Sequence, residues 1–249
     1  MNWLQHTSFL DQTLDIIRRF MTHAPEESIE RVRAQLVESL PAPNAASFLL
    51  GSGYRFASWI ARECSFSGAA TIMDAGMLTG AATLQDAAND LISGQVDVAL
   101  AGTLVPPFNR SYLEGLSGEV VFSTRSELQP FSEDACGTIP GEGGAFFVLK
   151  READALTAHD RVYALVRSVA CGAQSSKELL ETAAARADVP IKSIQLIEGD
   201  GCGIPEIDAE LIAGVQALWG EHHAGDPLVG IGSVKGNIGH TLRSAMAAG

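Results

Sequence analysis

Asp74-Ala75-Gly76-Met77-Leu78-Thr79-Gly80-Ala81-Ala82-Thr83-Leu84, continuing through Leu91 and Gly94 to Asp97-Val98-Ala99-Leu100-Ala101-Gly102, decides the fold class. Ala81, Leu84, Ala88 and Leu91 recur at helical spacing, so Gly80 to Ile92 reads as an apolar helix and Val98 to Ala101 as the buried strand that follows it. Upstream, Ala69 to Met73 reads as a strand. Downstream come strands at Ala145 to Leu149, Val162 to Val169, Ile194 to Ile197 and Leu228 to Ile231, with helices near Lys177 to Ala187 and from Asp208 to Leu218. Strands alternating with helices predict an α/β layered architecture, helices packed on a mixed β-sheet. Residues 1–40 have a different texture: Leu10, Leu14, Ile17 and Met21 keep helical spacing up to Pro25, as do Ile29, Val32, Leu36 and Leu40 after it. Two helices are expected there, ended by Pro41 and Pro43.

With 249 residues and 46% apolar content the chain can bury a sizeable core, and one domain over 1–249 is the reading adopted. No run of about 18 apolar residues predicts a transmembrane helix. The N-terminal Met1-Asn2-Trp3-Leu4-Gln5-His6 has no basic flank of a secretory signal, so a cytoplasmic protein is expected, with Met1 a natural start. Cys64, Cys136, Cys171 and Cys202 are widely spaced without a Cys-x-x-Cys pair, which argues against a zinc site or a disulfide framework. A net charge of −13 disfavours nucleic acid and anionic membranes as partners. Neither cofactor nor metal is expected: the adjacent His222-His223 lies in a surface loop and lacks the i, i+4 spacing of helical ligands.

Four further segments, in order, carry a family resemblance. Ile60-Ala61 with Phe66 and Gly68 comes first. Gly137-Thr138-Ile139-Pro140-Gly141-Glu142-Gly143-Gly144 follows, with Val148-Leu149-Lys150-Arg151, Asp154-Ala155 and Asp160-Arg161-Val162-Tyr163-Ala164 behind it. Next stand Glu198-Gly199-Asp200-Gly201-Cys202-Gly203-Ile204, with Asp208 and Glu210, and finally Gly232-Ser233-Val234-Lys235-Gly236-Asn237-Ile238-Gly239-His240-Thr241. Together with the stretch around Met77 these resemble the β-ketoacyl synthases. The resemblance implies a partial thiolase-like fold, with residues 51–249 as the family-matching core. Trp59 and Arg62 depart from the family's polar pair in the first segment.

Carried over position by position, the resemblance places the family's cysteine nucleophile at Met77, its first histidine at Asp200 and its second at His240, with Lys235 as the supporting lysine. A methionine thioether has no proton to lose and cannot serve as a thiolate. Ionised Asp200 accepts hydrogen bonds where the family donates them to an oxyanion. His240 is therefore read as a retained structural residue beside Lys235 and Asn237, and Lys235 as pairing with an acidic neighbour. Glu142 reads as an anchor of a strand-connecting turn, and Cys202, the best surrogate nucleophile, as a small packing residue. Family members also begin with a strand and helix upstream of the matching region and continue into a second half-domain with an oxyanion loop, so the chain is read as truncated.

These readings imply a pseudoenzyme: a chain-length-factor-like partner of a full-length β-ketoacyl synthase in type II polyketide or fatty-acid-like biosynthesis, possessing no functional catalytic residue of its own. A likeness to the partner subunit of aryl-polyene-type systems refines that expectation. Acyl carrier protein is expected to engage indirectly, through the partner, because carriers are themselves acidic. The expected interface is the strand Asp97, Val98, Ala99, Leu100 and Ala101, where Ala99→Asp is expected to abolish the heterodimer. Two alternatives stand beside this one. An altered family acyltransferase or decarboxylase would keep a histidine at position 200, and a free-standing acyl-binding scaffold would have no ketosynthase encoded beside it.

Overall fold

Leu10, Leu14 and Ile29 form a small buried cluster that joins helix α1 (Trp3–Phe20) to helix α2 (Glu26–Ser39), with Ile17 and Leu36 packed against it. The helical spacing seen in the sequence is the cause, since these residues line one stripe of each helix. Val32 departs from the expected core stripe and is 37% exposed. The computed structural model describes residues 3–20, 23, 25–39, 53–105, 113–114, 116–118, 120–220 and 229–241. Met21, Leu40, Pro41, Pro43, His222-His223, Leu228 and the C-terminal Gly249 lie outside the described residues. Two compact units divide the chain, Met1–Ile72 and Met73–Gly249. The first also contains helix α3 (Gly53–Glu63).

In the second unit, helix α4 (Thr79–Ile92) packs along strand β1 (Val98–Val105), which pairs antiparallel with strand β2 (Gly143–Lys150). Register sets the faces. Ala101, Thr103 and Val105 are buried, whereas Val98, Leu100 and Leu104 alternate with them and are exposed. Period-two alternation puts one row on the core and the other outside. Gly102 stands opposite Phe146, and a Cβ there would lie 2.4 Å from Phe146 Cδ1, so the ring occupies the space a side chain would fill. Arg151 closes the turn after β2: its guanidinium donates to the carbonyls of Leu91 (2.9 Å) and Val96 (2.8 Å) and pairs with Asp97 and Asp154.

The remaining elements are helices α5 (Glu152–Thr157), α6 (Ser176–Ala187), α7 (Pro205–Trp219) and α8 (Lys235–Ile238), with the parallel pair β3 (Leu196–Glu198) and β4 (Gly230–Gly232). Helix α6 begins with a capping box: Ser175 accepts from the Glu178 N–H while Glu178 accepts from the Ser175 N–H. Antiparallel and parallel pairs coexist, as a mixed α/β fold requires.

Two expected strands do not form. Ala69 to Met73 and Val162 to Val169 are irregular, without a ladder of backbone hydrogen bonds to a neighbour among the described residues. Val162, Leu165 and Val166 are exposed apolar side chains rather than core. Val162, Val166 and Val169 are β-branched and suit a strand, but a strand needs an adjacent backbone as well as a composition. The later part of that segment lies instead along α6, where Ser168 donates to the Ala183 carbonyl at 2.7 Å.

Candidate functional site

Three of the motif segments converge on His240. Its N–H donates to the Ile139 carbonyl (2.7 Å) and its carbonyl accepts from the Gly141 N–H (2.9 Å), which joins the glycine turn to the end of α8. Gly141 permits the approach, because a Cβ there would lie 2.3 Å from the Ile238 carbonyl oxygen. The Gly137 N–H donates to the Gly203 carbonyl at 2.8 Å, and β3 continues past its end with the Gly199 N–H on the Gly232 carbonyl at 2.7 Å. Glu142 is exposed at the turn.

Asp200 and Lys235 form the electrostatic centre of this cluster. The Lys235 ammonium is buried, with 5% of its side chain exposed, and donates to Asp200 Oδ1 and to the Asp200 carbonyl (2.8 Å). Ser233 Oγ donates to the same carbonyl at 3.1 Å. Position 200 thus presents an acceptor that already holds an ammonium, which accounts for the acidic neighbour expected of Lys235. His240 is 2% exposed, and burial first, then the Lys235 charge, push its pKa down to about 4. Its ring is neutral at pH 7.

In the sequence Asp208 stands only as a trailing acidic residue. It is 4% exposed and its Oδ2 accepts from the N–H groups of Phe131 (2.9 Å) and Gly203 (3.2 Å), while the Cys202 thiol points at Oδ1 from 3.6 Å. An aspartate following a Gly-Cys-Gly turn by one helical turn was the available signal. Glu210, its companion, instead accepts from the Ser176 N–H (3.0 Å), and the two Ser176 hydrogen bonds hold its carboxyl below the usual range.

Cys202 is 1% exposed, between Gly201 (φ +50°) and Gly203 (φ +77°), and burial pushes its thiol up to about 12. A thiol in that state is not a nucleophile at neutral pH. Cys136, half-buried, is opposite in character: hydrogen bonds from the Ser123 hydroxyl (3.3 Å) and the Thr124 backbone lower its pKa. Iodoacetamide at pH 8 is therefore expected to modify Cys136 and the exposed Cys64 in the native chain and to spare Cys202 until denaturant is added. Peptide mass mapping reads the result, and alkylation of native Cys202 as fast as Cys64 would contradict the geometry.

Met77 sits in a one-turn 3₁₀ segment, Gly76–Leu78, at the entrance to α4, and is 45% exposed. Thr79 Oγ1 fixes that turn by accepting from the Ala75 N–H (3.0 Å) and donating to the Gly76 carbonyl (2.7 Å). The structure gathers Asp200, Lys235 and His240 into one cluster, and Met77 stands at the entrance to α4. Among the described residues no group of histidine, cysteine and carboxylate side chains is arranged to hold a metal ion. No helix among them is long and apolar enough to cross a membrane.

The N-terminal domain model of β-ketoacyl synthases matches residues 34–155, and the C-terminal domain model matches 157–249. This chain belongs to the β-ketoacyl synthase family. It is 29% identical over 206 residues to the methylphloroacetophenone synthase of Cladonia uncialis, covering 78% of this chain and 8% of that protein. Among solved structures, an oxazolomycin ketosynthase domain from Streptomyces albus JA3453 matches with a TM-score of 0.71 at 28% identity, over 79% of this chain and 38% of that one. The ishigamide ketosynthase/chain length factor shares the fold, with a TM-score of 0.68 at 24% identity over 79% of this chain and 50% of that one. The thiolase-type α/β fold follows from these likenesses. This member spans less than a tenth of the curated relative and under two fifths of the solved ketosynthase domain.

Proposed function

We propose that this chain is a non-catalytic partner of an active β-ketoacyl synthase, a chain-length-factor-like subunit of a type II polyketide or fatty-acid-like system, of which the aryl-polyene type is the refinement offered. The observation that carries the reading is the Asp200–Lys235 pair. A condensing site needs hydrogen-bond donors facing the thioester oxygen as negative charge develops on it. Here position 200 supplies an acceptor whose negative charge is already matched by an ammonium. With a thioether at position 77, no thioester forms on the chain and none can be released. What the fold still offers is surface: a rigid scaffold that can fix the geometry of a partner's site and receive acyl carrier protein through that partner.

Met77→Cys alone is expected to yield no condensation, because nucleophile and donors act as a unit and single repairs are strongly non-additive. Intact-protein mass spectrometry with acyl and malonyl carrier thioesters gives the readout: no acyl adduct on the natural chain and no turnover by the variant. Turnover from that one substitution, or a stable acyl adduct on the natural chain, would overturn the reading. Co-expression with a neighbouring ketosynthase, followed by size exclusion with mass measurement, tests the partnership itself.

A further inference from the structure

Arg167 and Arg186 share one groove, and neither forms an ion pair with a carboxylate among the described residues. Arg18, Arg31, Arg33, Arg62, Arg125 and Arg151 each lie within ion-pair distance of an Asp or Glu. Arg167 and Arg186 do not, among the described residues. Each instead clasps a backbone carbonyl of the other's segment: Arg186, in the last turn of α6, donates to the Val169 carbonyl at 2.9 Å, and Arg167 donates to the Ala187 carbonyl at 3.3 Å. One hydrogen bond apiece fixes the two guanidiniums and leaves most of their N–H donors unused.

Both side chains line a groove of about 400 Å³ between α4 and residues 166–169. Gln85, Ala88, Asn89 and Ile92 form its other wall, at i, i+3, i+4 and i+7 on one face of α4. The Gln85 Oε1 accepts from the Cys171 thiol at 2.9 Å, which leaves its amide N–H groups as donors. Ala88, Ile92, Val166 and Val169 make the rest of the surface apolar, with Ile92 81% exposed. No carboxylate lines the groove, although the chain carries 30 acidic residues.

A last-turn arginine on a helix-end carbonyl is ordinary helix capping. On that account Arg167 holds the last carbonyl of α6, at Ala187, and Arg186 stands in its last turn, but neither role engages the remaining N–H donors of the two guanidiniums. We propose that this groove binds an organic phosphate, its phosphoryl group held by Arg167 and Arg186 and its apolar portion laid along Ala88, Ile92, Val166 and Val169. Planar guanidinium forks match phosphoryl oxygens in geometry, and a phosphomonoester carries close to two negative charges at neutral pH, which two arginines balance better than a monoanionic carboxylate does. The volume falls within the range of small-molecule sites. The inference concerns a groove apart from the Asp200 cluster and does not depend on the partner-subunit reading.

Isothermal titration of octyl phosphate, below its micelle concentration, tests it on the full chain in whichever form purifies, alone or with a ketosynthase, any partner alone serving as the blank. The expected result is saturable binding about tenfold or more tighter than that of inorganic phosphate, octanoate or octanol, and weaker at high salt. Arg167→Gln with Arg186→Gln should weaken it by about tenfold or more. Ile92→Asp leaves both arginines in place and puts a carboxylate on an exposed wall position, so it should weaken binding similarly even if the double variant fails to fold. Absence of saturable binding, octanol or octanoate binding as tightly as octyl phosphate, or undiminished binding by Ile92→Asp or a folded double variant would overturn the proposal.

Discussion

Lowering the pH from about 6.5 to about 4 should remove about 3 kcal/mol of folding stability through His240 alone. Burial and the neighbouring Lys235 ammonium push its pKa from the ordinary 6.5 to about 4, against the smaller opposing pull of Asp200 and Asp208. Across this window the unfolded chain binds a proton that the folded chain refuses. The stabilisation is therefore complete above the unfolded value and is lost as pH falls toward the folded one, below which the loss levels off. Glu178 and Glu210 have depressed carboxyl pKa values, so they add their own acid sensitivity only below their ordinary value near 4.5. Urea midpoints at pH 7, 6 and 5 isolate the histidine. His240→Gln should flatten the dependence, and a natural chain with the same midpoint at pH 7 and pH 5 would mean that the ring is not held neutral.

The same histidine shows what the sequence could and could not reveal. Its place beside the glycine turn was legible from the motifs, because Gly232 to Thr241 and the Gly137 to Gly144 turn keep the family's pattern and the backbone of His240 bonds to Ile139 and Gly141. The helices α4, α6 and α7 were legible from apolar spacing, which registers burial on one face directly. Asp200 was legible as a carboxylate, but its pairing with Lys235 arises from a turn that only the fold closes. Val162 to Val169 misled for a physical reason: residue type registers which side chains suit a sheet, not whether a neighbouring backbone is there to pair. Arg167 and Arg186 were invisible as a pair, because one stands on an irregular segment and the other at a helix end, and only packing of that segment on α6 sets them side by side.

A single charge on the outer face of the β1–β2 ribbon should separate this chain from a ketosynthase partner. The sequence pointed to Ala99→Asp for this purpose, but in the structure Ala99 belongs to the row with Ala101, Thr103 and Val105, the side that packs on α4. A carboxylate there would damage the fold, and loss of a complex would then say nothing about an interface. The opposite face carries Leu100, Leu104, Phe146 and Val148, exposed at 41%, 54%, 49% and 74%, and cross-strand register places Leu100 beside Val148. Each strand of the pair also has a neighbour on one side only among the described residues. An apolar ribbon with open edges is a surface suited to association. Val148→Asp adds a charge at a position open to water in the isolated chain, so circular dichroism should be unchanged. In a permanent complex burying more than about 2,000 Å² the same carboxylate would be desolvated without a partner, at a cost of about 3–5 kcal/mol. Size exclusion with mass measurement should show the natural chain at heterodimer mass with its ketosynthase and the variant eluting apart from it. Co-elution of the variant at heterodimer mass would remove this face from the interface, and a natural chain that stays a soluble monomer beside every ketosynthase offered would defeat the partner reading altogether.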